Sequence, residues 1–314
     1  MIELEDRYGR RIQKLRISLL DACNLRCTYC MPEHMSFMGR ERFLQPHQIY
    51  EMAKTLVAYG LREIRVTGGE PTLRQEFIEI MRLLSDLPLR SLGLTTNGVT
   101  LDKHLDELQH TALRSINVSL DSLSPDKFFQ VTRRKVFERV YDNILKAQDM
   151  GFHVKVNSIL MKGINDDEID DFVDFSARYG IEVRFLELMK IGQANGTDQR
   201  NRFMAADDAI DILLKNHELK TVPVAKDSTS FVYQLNNGAK IGFIASETKP
   251  FCGNCSRWRL TADGHLRACL MSEKGVNLRN VPVEQYDELL GRLLTMKPTG
   301  RIEKIDQDMY QIGG

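Results

Sequence analysis

The stretch Cys23-Asn24-Leu25-Arg26-Cys27-Thr28-Tyr29-Cys30 places three cysteines in one short segment with the spacing C-x₃-C-x₂-C. Three thiolates this close can ligate three irons of one cuboidal iron–sulfur cluster and leave the fourth iron open to a small molecule. Thiolates also suit zinc or Cu(I), and cysteines can serve as small core residues. A structural zinc site needs four ligands, however, and the nearest histidine, His34, lies outside the segment. The spacing therefore favours an iron–sulfur cluster with one open iron.

The other three cysteines, Cys252, Cys255 and Cys269, form a second group near the other end of the chain. Odd-numbered groups are poorly suited to disulfide pairing, so the cysteine pattern predicts two separate metal centres. Two of these thiols precede a predicted hairpin and the third lies on its return strand, an arrangement that serves zinc ribbons as well as auxiliary clusters. A fourth cysteine is missing and His265 is badly placed as a substitute. Spacing alone leaves both zinc and a second cluster open.

Between Lys14 and Met189, short β-rich runs alternate with amphipathic helical runs. Strands are predicted at 15–20, 63–67, 91–96, 115–120, 153–160 and 182–188. One helix shows the apolar stripe Ile49, Met52, Ala53, Leu56 and Val57, which is typical of a helix with one buried face. Six successive βα units predict an α/β fold, an incomplete (βα)6 TIM-like barrel that is open along one side.

Residues 1–204 are predicted to form this barrel, and residues 205–314 a smaller β-rich α+β layer that closes it laterally. In the C-terminal part, strands are predicted at 222–225, 231–235, 240–245, 257–261 and 265–270, with a helix at 206–214. Asn236-Asn237-Gly238 and Ala262-Asp263-Gly264 have the composition of hairpin turns.

Polar and glycine residues concentrate at the carboxyl ends of the predicted barrel strands, where the active sites of βα barrels lie. Basic residues lie on the strands near the same mouth: Arg16, Arg65, Lys155, Arg184, Arg257 and Arg259. Several cations on barrel strands imply an anionic ligand, because burying charge without a counterion is costly. Arginine forks suit a polyphosphate or a carboxylate. The chain has no P-loop pattern, which argues against an ordinary NTPase.

The composition is that of a globular protein, with 42% hydrophobic and 27% charged residues. The formal net charge of zero argues against a general binder of nucleic acid or membrane surfaces. The sequence contains no apolar run of transmembrane length, and its acidic N-terminus lacks the apolar core of a signal peptide. A cytoplasmic location is therefore expected.

Tyr29, directly before the last cysteine of the first triad, completes a motif that resembles the signature of radical S-adenosylmethionine (SAM) enzymes. Gly68-Gly69-Glu70-Pro71 resembles the second motif of that superfamily. Within it, the second triad, Arg257-Trp258-Arg259 and residues 275–279 and 310–314 resemble the GTP 3′,8-cyclase family of molybdenum cofactor biosynthesis. The resemblance covers essentially the whole chain.

The resemblance implies SAM and two [4Fe–4S] clusters as cofactors. The first triad would hold a cluster whose open iron chelates SAM, and the second triad a cluster that ligates the guanine of GTP. The SAM-binding positions that it implies are Tyr29, Gly69, Ser119 and Met189. The GTP-binding positions are Arg16, Arg65, Thr95, Lys155, Arg257, Trp258 and Arg259.

Catalytic positions implied by the resemblance are Arg257, Arg259, Gly313 and Gly314. The two glycines end a tail that would reach into the active site, and the alternative is a frayed terminus. Trp258 is bulkier than the residue expected between two substrate-binding arginines. If its ring points outward, the site is unaffected.

The resemblance implies reductive cleavage of SAM to a 5′-deoxyadenosyl radical, hydrogen abstraction from ribose C3′ and attack of the new radical on guanine C8. The product would be (8S)-3′,8-cyclo-7,8-dihydroguanosine 5′-triphosphate. Implied partners are GTP, a low-potential electron donor and a downstream cyclic pyranopterin monophosphate synthase; the oligomeric state is open, with a homodimer as one option.

Two alternatives remain at this stage. One is another radical SAM enzyme with an auxiliary cluster, such as a peptide-modifying maturase, although the basic cluster and the short chain favour a nucleotide. The other is a non-catalytic iron–sulfur or zinc-binding module.

Overall fold

The computed structural model describes residues 1–313, and within them the chain forms twelve strands that share one mixed sheet. The strands are β1 Lys14–Ser18, β2 Glu63–Thr67, β3 Ser91–Thr96, β4 Leu113–Ser119, β5 His153–Ile159, β6 Glu182–Leu186, β7 Leu219–Val222, β8 Phe231–Leu235, β9 Lys240–Ile244, β10 Arg257–Leu260, β11 His265–Arg267 and β12 Gly275–Asn277. Their order in the sheet is β12-β11-β10-β1-β2-β3-β4-β5-β6-β9-β8-β7.

Ten α-helices lie within the same described range. They are α1 Pro46–Ala58, α2 Phe77–Ser85, α3 Leu105–Leu108, α4 Pro125–Thr132, α5 Phe137–Asp149, α6 Ile169–Tyr179, α7 Thr197–Asn201, α8 Ala206–Asn216, α9 Tyr286–Thr295 and α10 Met309–Ile312. Among these helices of residues 1–313, none combines the length and the apolar character that crossing a membrane requires.

The six strands β1 to β6 are consecutive and parallel, which confirms the predicted incomplete barrel. The predicted stripe of α1 is buried, with Ile49, Ala53 and Leu56 almost fully covered by the core. Apolar residues on one side of each strand pack against such helices, and this packing stabilises the sheet.

The C-terminal part closes the open side by adding strands at both edges of the barrel sheet. β10 pairs in parallel with β1, and β9 pairs in parallel with β6. Each edge then continues as antiparallel hairpins, β10-β11-β12 on one side and β9-β8-β7 on the other. Both predicted hairpin turns are confirmed. The strand expected at 222–225 lies earlier, at Leu219–Val222, and β12 was not predicted. The domain boundary at residue 204 stays a prediction.

Strand alternation turns the polar side chains of the barrel strands toward its interior. On β1, Leu15 and Ile17 are buried in the core, whereas Arg16 lines the central cavity. Arg16 is in register with Arg65 of β2 and with Arg259 of β10. Because residues in register share a face of the sheet, the basic residues of neighbouring strands converge on one interior region.

Candidate active site

Both cysteine triads open onto one cavity at the carboxyl ends of the barrel strands. Its lining includes all six cysteines of the chain: Cys23, Cys27, Cys30, Cys252, Cys255 and Cys269. The strand ends contribute Thr67, Thr96, Ser119, Ile159 and Leu186 to the same wall. Two groups separated by more than 200 residues of sequence are therefore neighbours across one site.

The first triad lies on the loop that follows β1, and backbone hydrogen bonds hold this loop in place. The Arg26 and Thr28 amides donate to the carbonyl oxygens of Thr132 and Val131 at the end of α4, each at 3.0 Å. The Cys30 amide donates to the Cys27 carbonyl at 3.0 Å, which forms a turn between these two ligands. The loop is thus shaped by backbone contacts, and all three of its cysteines line the cavity.

The surroundings of the first triad disfavour free thiolates. The cysteines keep some exposure to the cavity, but burial within the protein raises the pKa of Cys23 to about 11, with the Glu70 carboxylate adding to the effect. Burial, followed by the charge of Asp121, raises the pKa of Cys27, and burial together with Cys23 raises that of Cys30. Metal binding at these thiols must therefore release protons.

All four predicted SAM-binding residues line the cavity beside this loop: Tyr29, Gly69, Ser119 and Met189. The Tyr29 hydroxyl donates to Asp121 at 2.8 Å, and burial raises the pKa of Asp121 to about 6. A side chain at Gly69 would collide with the carbonyl oxygens of Asp21 and Ala22, so only glycine fits there. The motif thereby lets the end of β2 approach the cysteine loop closely.

Glu70 joins the second motif to the end of β3. Its buried carboxylate accepts hydrogen bonds from the Thr96 hydroxyl at 2.7 Å and the Asn97 amide at 2.6 Å. The Asn97 side-chain amide in turn lies 3.5 Å from the Cys23 sulfur and 2.7 Å from the Asn24 side-chain oxygen. This network positions the cysteine loop against two strand ends.

The second triad is built on the β10-β11 hairpin. Cys252 and Cys255 lie on a turn directly before β10, and Cys269 follows β11 on the return. Burial raises the pKa of Cys255, but the nearby charges of Lys297 and Arg257 outweigh that effect and lower it to about 7. The cationic surroundings of the second triad contrast with the acidic surroundings of the first.

The donor chemistry of both triads fits iron–sulfur clusters. In the described residues 1–313, no group of three or more Cys, His, Asp or Glu side chains is arranged to hold a single metal ion. A zinc ion draws its thiolates to within 2.3 Å of one centre, about the length of the Zn–S bond. A cuboidal cluster instead binds each thiolate to a different iron, so three thiols that line one cavity are a suitable donor set.

Arginines occupy the part of the cavity between β1 and β10. Burial lowers the pKa of Arg16 well below its ordinary value, and the charges of Arg259, Arg257 and Arg65 lower it further. Burial also lowers the pKa of Arg65 and of Arg259 to about 10. Nη2 of Arg257 is buried without a hydrogen-bond partner in residues 1–313. Guanidinium groups that repel one another in this way would be stabilised by a multiply charged anion.

The structure separates six of the seven predicted GTP-binding residues into two sets, and Trp258 belongs to neither. Arg16, Thr95, Arg257 and Arg259 line the cavity. Arg65 lies deeper, where it donates to the Leu94 carbonyl at 2.8 Å, and Lys155 pairs with Glu182 at 2.7 Å.

Trp258 faces the other way from its two arginine neighbours. Its side chain is fully buried in the hydrophobic core, with no exposed surface. Strand alternation on β10 explains this, because Arg257 and Arg259 share the cavity face and Trp258 has the opposite one. The expected bulk of Trp258 is therefore accommodated outside the cavity.

The C-terminal segment contributes to the wall of the cavity. Met309 and Tyr310 line it, and the Gly313 carbonyl accepts a hydrogen bond of 2.7 Å from Arg259. Gly313 has φ +77° and packs against Ser18 so closely that a Cβ would lie 2.6 Å from that side chain, so glycine suits this position. Gly314, the other predicted catalytic glycine, lies outside the described residues.

Three further polar residues belong to the site or its support. Arg184 and Asn117 line the cavity, from β6 and β4. The sequence already indicated Arg184 as a basic residue on a barrel strand. The position of Asn117 in the cavity could be inferred only from the alternation of side chains along β4. Lys297, whose ammonium lies 3.4 Å from the Cys255 sulfur, carried no motif signal because it follows α9, far along the chain.

Both halves of the chain match models of known protein families. Residues 17–176 match the family model described as Radical SAM superfamily, and residues 181–302 match Molybdenum Cofactor Synthesis C. The chain is 45% identical over 311 residues to a GTP 3′,8-cyclase of Synechocystis sp., across 99% of this chain and 95% of that protein. It is 41% identical to a GTP 3′,8-cyclase of Aquifex aeolicus, across 88% of each chain.

A eukaryotic relative and two solved structures extend these likenesses. Molybdenum cofactor biosynthesis protein 1 of Drosophila melanogaster is 39% identical over 94% of this chain and 54% of that protein. Streptococcus suis SuiB bound to S-adenosylmethionine shares the fold with a TM-score of 0.66 at 13% identity, over 90% of this chain and 68% of its own. The structure of anSMEcpe with bound AdoMet gives a TM-score of 0.59 at 14% identity, over 91% and 83%. At such identities the two structures show the fold alone.

Proposed function

Because the chain belongs to the GTP 3′,8-cyclase family of the radical SAM superfamily, we propose that it converts GTP to (8S)-3′,8-cyclo-7,8-dihydroguanosine 5′-triphosphate for molybdenum cofactor biosynthesis. As a radical SAM enzyme it uses SAM and an iron–sulfur cluster. The observation that supports GTP as substrate is the group of arginines that lines one cavity together with both cysteine triads.

Cys23, Cys27 and Cys30 would hold the first [4Fe–4S] cluster. When bound and reduced, this cluster supplies the electron that splits SAM and yields a 5′-deoxyadenosyl radical. Tyr29, Gly69, Ser119 and Met189 would bind SAM beside it; their common position in the cavity wall supports this assignment.

Cys252, Cys255 and Cys269 would hold a second [4Fe–4S] cluster, which would supply a coordination position for the guanine of GTP. The charge of the triphosphate would be met by Arg16, Arg257 and Arg259 in the cavity, which Thr95 also lines. Arg65 and Lys155 would join them by exchanging their present internal partners for phosphate oxygens. Charged hydrogen bonds of this kind both bind the substrate and fix its orientation.

The reaction requires ribose C3′ and guanine C8 to be held in register while water is kept out. The chain's contribution is therefore positioning and enclosure, since abstraction from an unactivated C–H bond needs a cofactor radical. Met309 and Tyr310 line the cavity, and the hydrogen bond from Arg259 to Gly313 connects the tail to the arginines that would bind the triphosphate. We assign catalytic roles to Arg257, Arg259 and Gly313 on this basis, and the role proposed for Gly314 rests on the family resemblance of the chain's last residues.

The remaining partners follow from the chemistry. Splitting SAM consumes an electron, so a low-potential donor must supply it, and the cyclic nucleotide product would pass to a cyclic pyranopterin monophosphate synthase. A cytoplasmic location and a homodimer remain predictions.

The decisive experiment is an anaerobic assay with GTP, SAM and a low-potential reductant. We expect one cyclic nucleotide and 5′-deoxyadenosine, and about eight iron atoms per chain after reconstitution, four in each cluster. ATP in place of GTP and a Cys27→Ala protein serve as controls. Release of 5′-deoxyadenosine without any GTP-derived product would falsify the substrate assignment, and zinc in the second triad would contradict the two-cluster model.

A further inference from the structure

Lys297 lies behind the second cysteine triad, on the loop after α9, and only 5% of its surface is exposed. Its ammonium donates to the Cys255 sulfur at 3.4 Å, the Arg257 carbonyl at 2.9 Å and the Ala268 carbonyl at 3.0 Å. An ammonium has three donors, so all of them are used. The partners are a sulfur and two carbonyl oxygens rather than a carboxylate.

These three acceptors lie on both arms of the hairpin that carries the cysteines. Cys255 and the Arg257 carbonyl belong to the arm that enters β10, whereas the Ala268 carbonyl directly precedes Cys269 on the returning arm. One buried cation therefore fixes the position of Cys255 relative to Cys269. A change of side chain at Lys297 would alter both the charge and the geometry at this place.

Arg10 connects Cys252, the remaining cysteine of this triad, to the loop that carries Lys297. Its guanidinium donates to the carbonyl oxygens of Cys252 at 2.9 Å, Pro298 at 2.8 Å and Lys297 at 3.3 Å. The Asp6 carboxylate pairs with Arg10 at 2.6 Å, and both side chains are buried. Asp6 balances the charge of Arg10, whereas the Lys297 ammonium donates directly to the Cys255 sulfur.

We propose that Lys297 is a positioning residue of the second metal centre, which holds the two hairpin arms in register and stabilises the negative charge of the thiolate-bound cluster. This inference rests on the proposed second cluster. Three thiolates give an oxidised [4Fe–4S] cluster a net negative charge that grows on reduction, and hydrogen bonds to sulfur and nearby charge set its potential. A buried ammonium beside Cys255 favours the reduced form and slows loss of the metal.

The test isolates the second centre in a full-length Cys23→Ala, Cys27→Ala, Cys30→Ala background. Into it we would introduce Lys297→Met, Lys297→Gln and, as a control, Lys215→Met, which removes an exposed lysine of α8. Two readouts are independent of turnover: the midpoint potential from an EPR-monitored redox titration, and the rate of iron loss to a chelator. A role in packing alone would leave the potential unchanged.

For Lys297→Met we expect the ratio of reduced to oxidised cluster at a fixed potential to fall about tenfold, a shift of about 59 mV for a one-electron couple. Iron loss should accelerate by a similar factor. The midpoint potential and the rate of iron loss of Lys297→Gln should lie between those of Lys297→Met and of the parent, because the glutamine amide retains neutral donors. If both Lys297 variants match Lys215→Met in potential and in iron loss, the proposal is overturned.

Failure of the second cluster and failure of this inference give different results. If the parent triad binds zinc, the two-cluster model fails, and the same chelator comparison on zinc-loaded protein tests Lys297: faster zinc loss supports its role and an unchanged rate overturns it. If Lys297→Met does not fold, Lys297→Gln carries the comparison.

Discussion

The two cysteine triads share one cavity but have opposite electrostatic surroundings. Next to the first triad are the carboxylates of Glu70, Asp121 and Asp308, which act with burial to raise the thiol pKa values. Next to the second are Lys297 and Arg257, which hold the pKa of Cys255 at about 7 despite its burial. Carboxylates predominate beside the first triad, where Arg26 is the opposing charge, and basic side chains predominate beside the second, although burial still raises the pKa of Cys252.

This difference matches the two proposed tasks. Nearby negative charge disfavours the reduced state of a cluster and so makes it a stronger electron donor, which suits cleavage of SAM. Nearby positive charge stabilises thiolates and also attracts an anionic nucleotide. The fold achieves the contrast by building the first site on a loop between strand ends and the second on a hairpin backed by basic residues.

The largest expected effect comes from Cys27→Ala, which removes one ligand of the first cluster. SAM cleavage should fall below detection, because two thiolates no longer hold the cluster whose electron it needs. The measurement is 5′-deoxyadenosine by chromatography after anaerobic incubation with reductant. The second triad should retain about four irons per chain, the content of one cluster. Cleavage at the parent rate would show that the two triads are not specialised as described.

Cys269→Ala tests the other side of the comparison. It should spare SAM cleavage, since the first triad is intact, yet reduce cyclisation at least about a hundredfold, the cost of a misplaced reacting centre. Both products are measured in the same reaction, so cleavage without cyclisation is read directly. Normal formation of the cyclic nucleotide would remove the second triad from substrate binding.

Arg257→Ala and Arg259→Ala test the positive charge beside the second triad. Each should weaken GTP binding by about 1.5–3 kcal/mol, the scale of a hydrogen bond to a charged group. Titration calorimetry with GTP under anaerobic conditions measures the loss, and the exposed Arg178→Ala on α6 serves as control. GTP affinity equal to that of the control would place the triphosphate elsewhere.

Deleting Gly313 and Gly314 should have a smaller effect. The deletion removes the carbonyl that Arg259 binds, and turnover should fall about tenfold because the substrate is held less well. Thermal unfolding should be unchanged, since the deletion leaves the core intact. Unchanged turnover would identify the end of the chain as a frayed terminus.

Local patterns predicted the barrel well because its periodicity is a property of neighbouring residues. The apolar stripe of α1, the cysteine spacing and the glycines of the second motif all appear within a few residues of sequence. Pairing of β10 with β1 joins residues more than 240 positions apart, and spacing carries no information on such contacts. For the same reason the sequence did not reveal Lys297 as a partner of Cys255.

The sequence also could not predict which protein groups the basic strand residues contact. The pattern correctly placed Lys155 and Arg65 on barrel strands, but their present contacts are Glu182 and the Leu94 carbonyl. Whether a strand cation meets a ligand or a neighbouring strand depends on register, which is set only when the sheet forms. The side of Trp258 could be inferred from alternation once β10 was assigned.

The smallest expected effect belongs to Trp258→Phe, which tests whether the arginine pair acts independently of the core residue between them. The indole nitrogen is buried without a hydrogen-bond partner in residues 1–313, so a phenyl ring loses apolar contacts but removes an unsatisfied donor. These contributions oppose each other, and the free energy of unfolding should stay within about 1 kcal/mol of the parent. GTP affinity should not change, because the ring packs on the face opposite the cavity. A tenfold loss of GTP affinity with an unchanged melting temperature would instead show that the ring contributes to the binding site beside the second triad, in addition to the charged residues there.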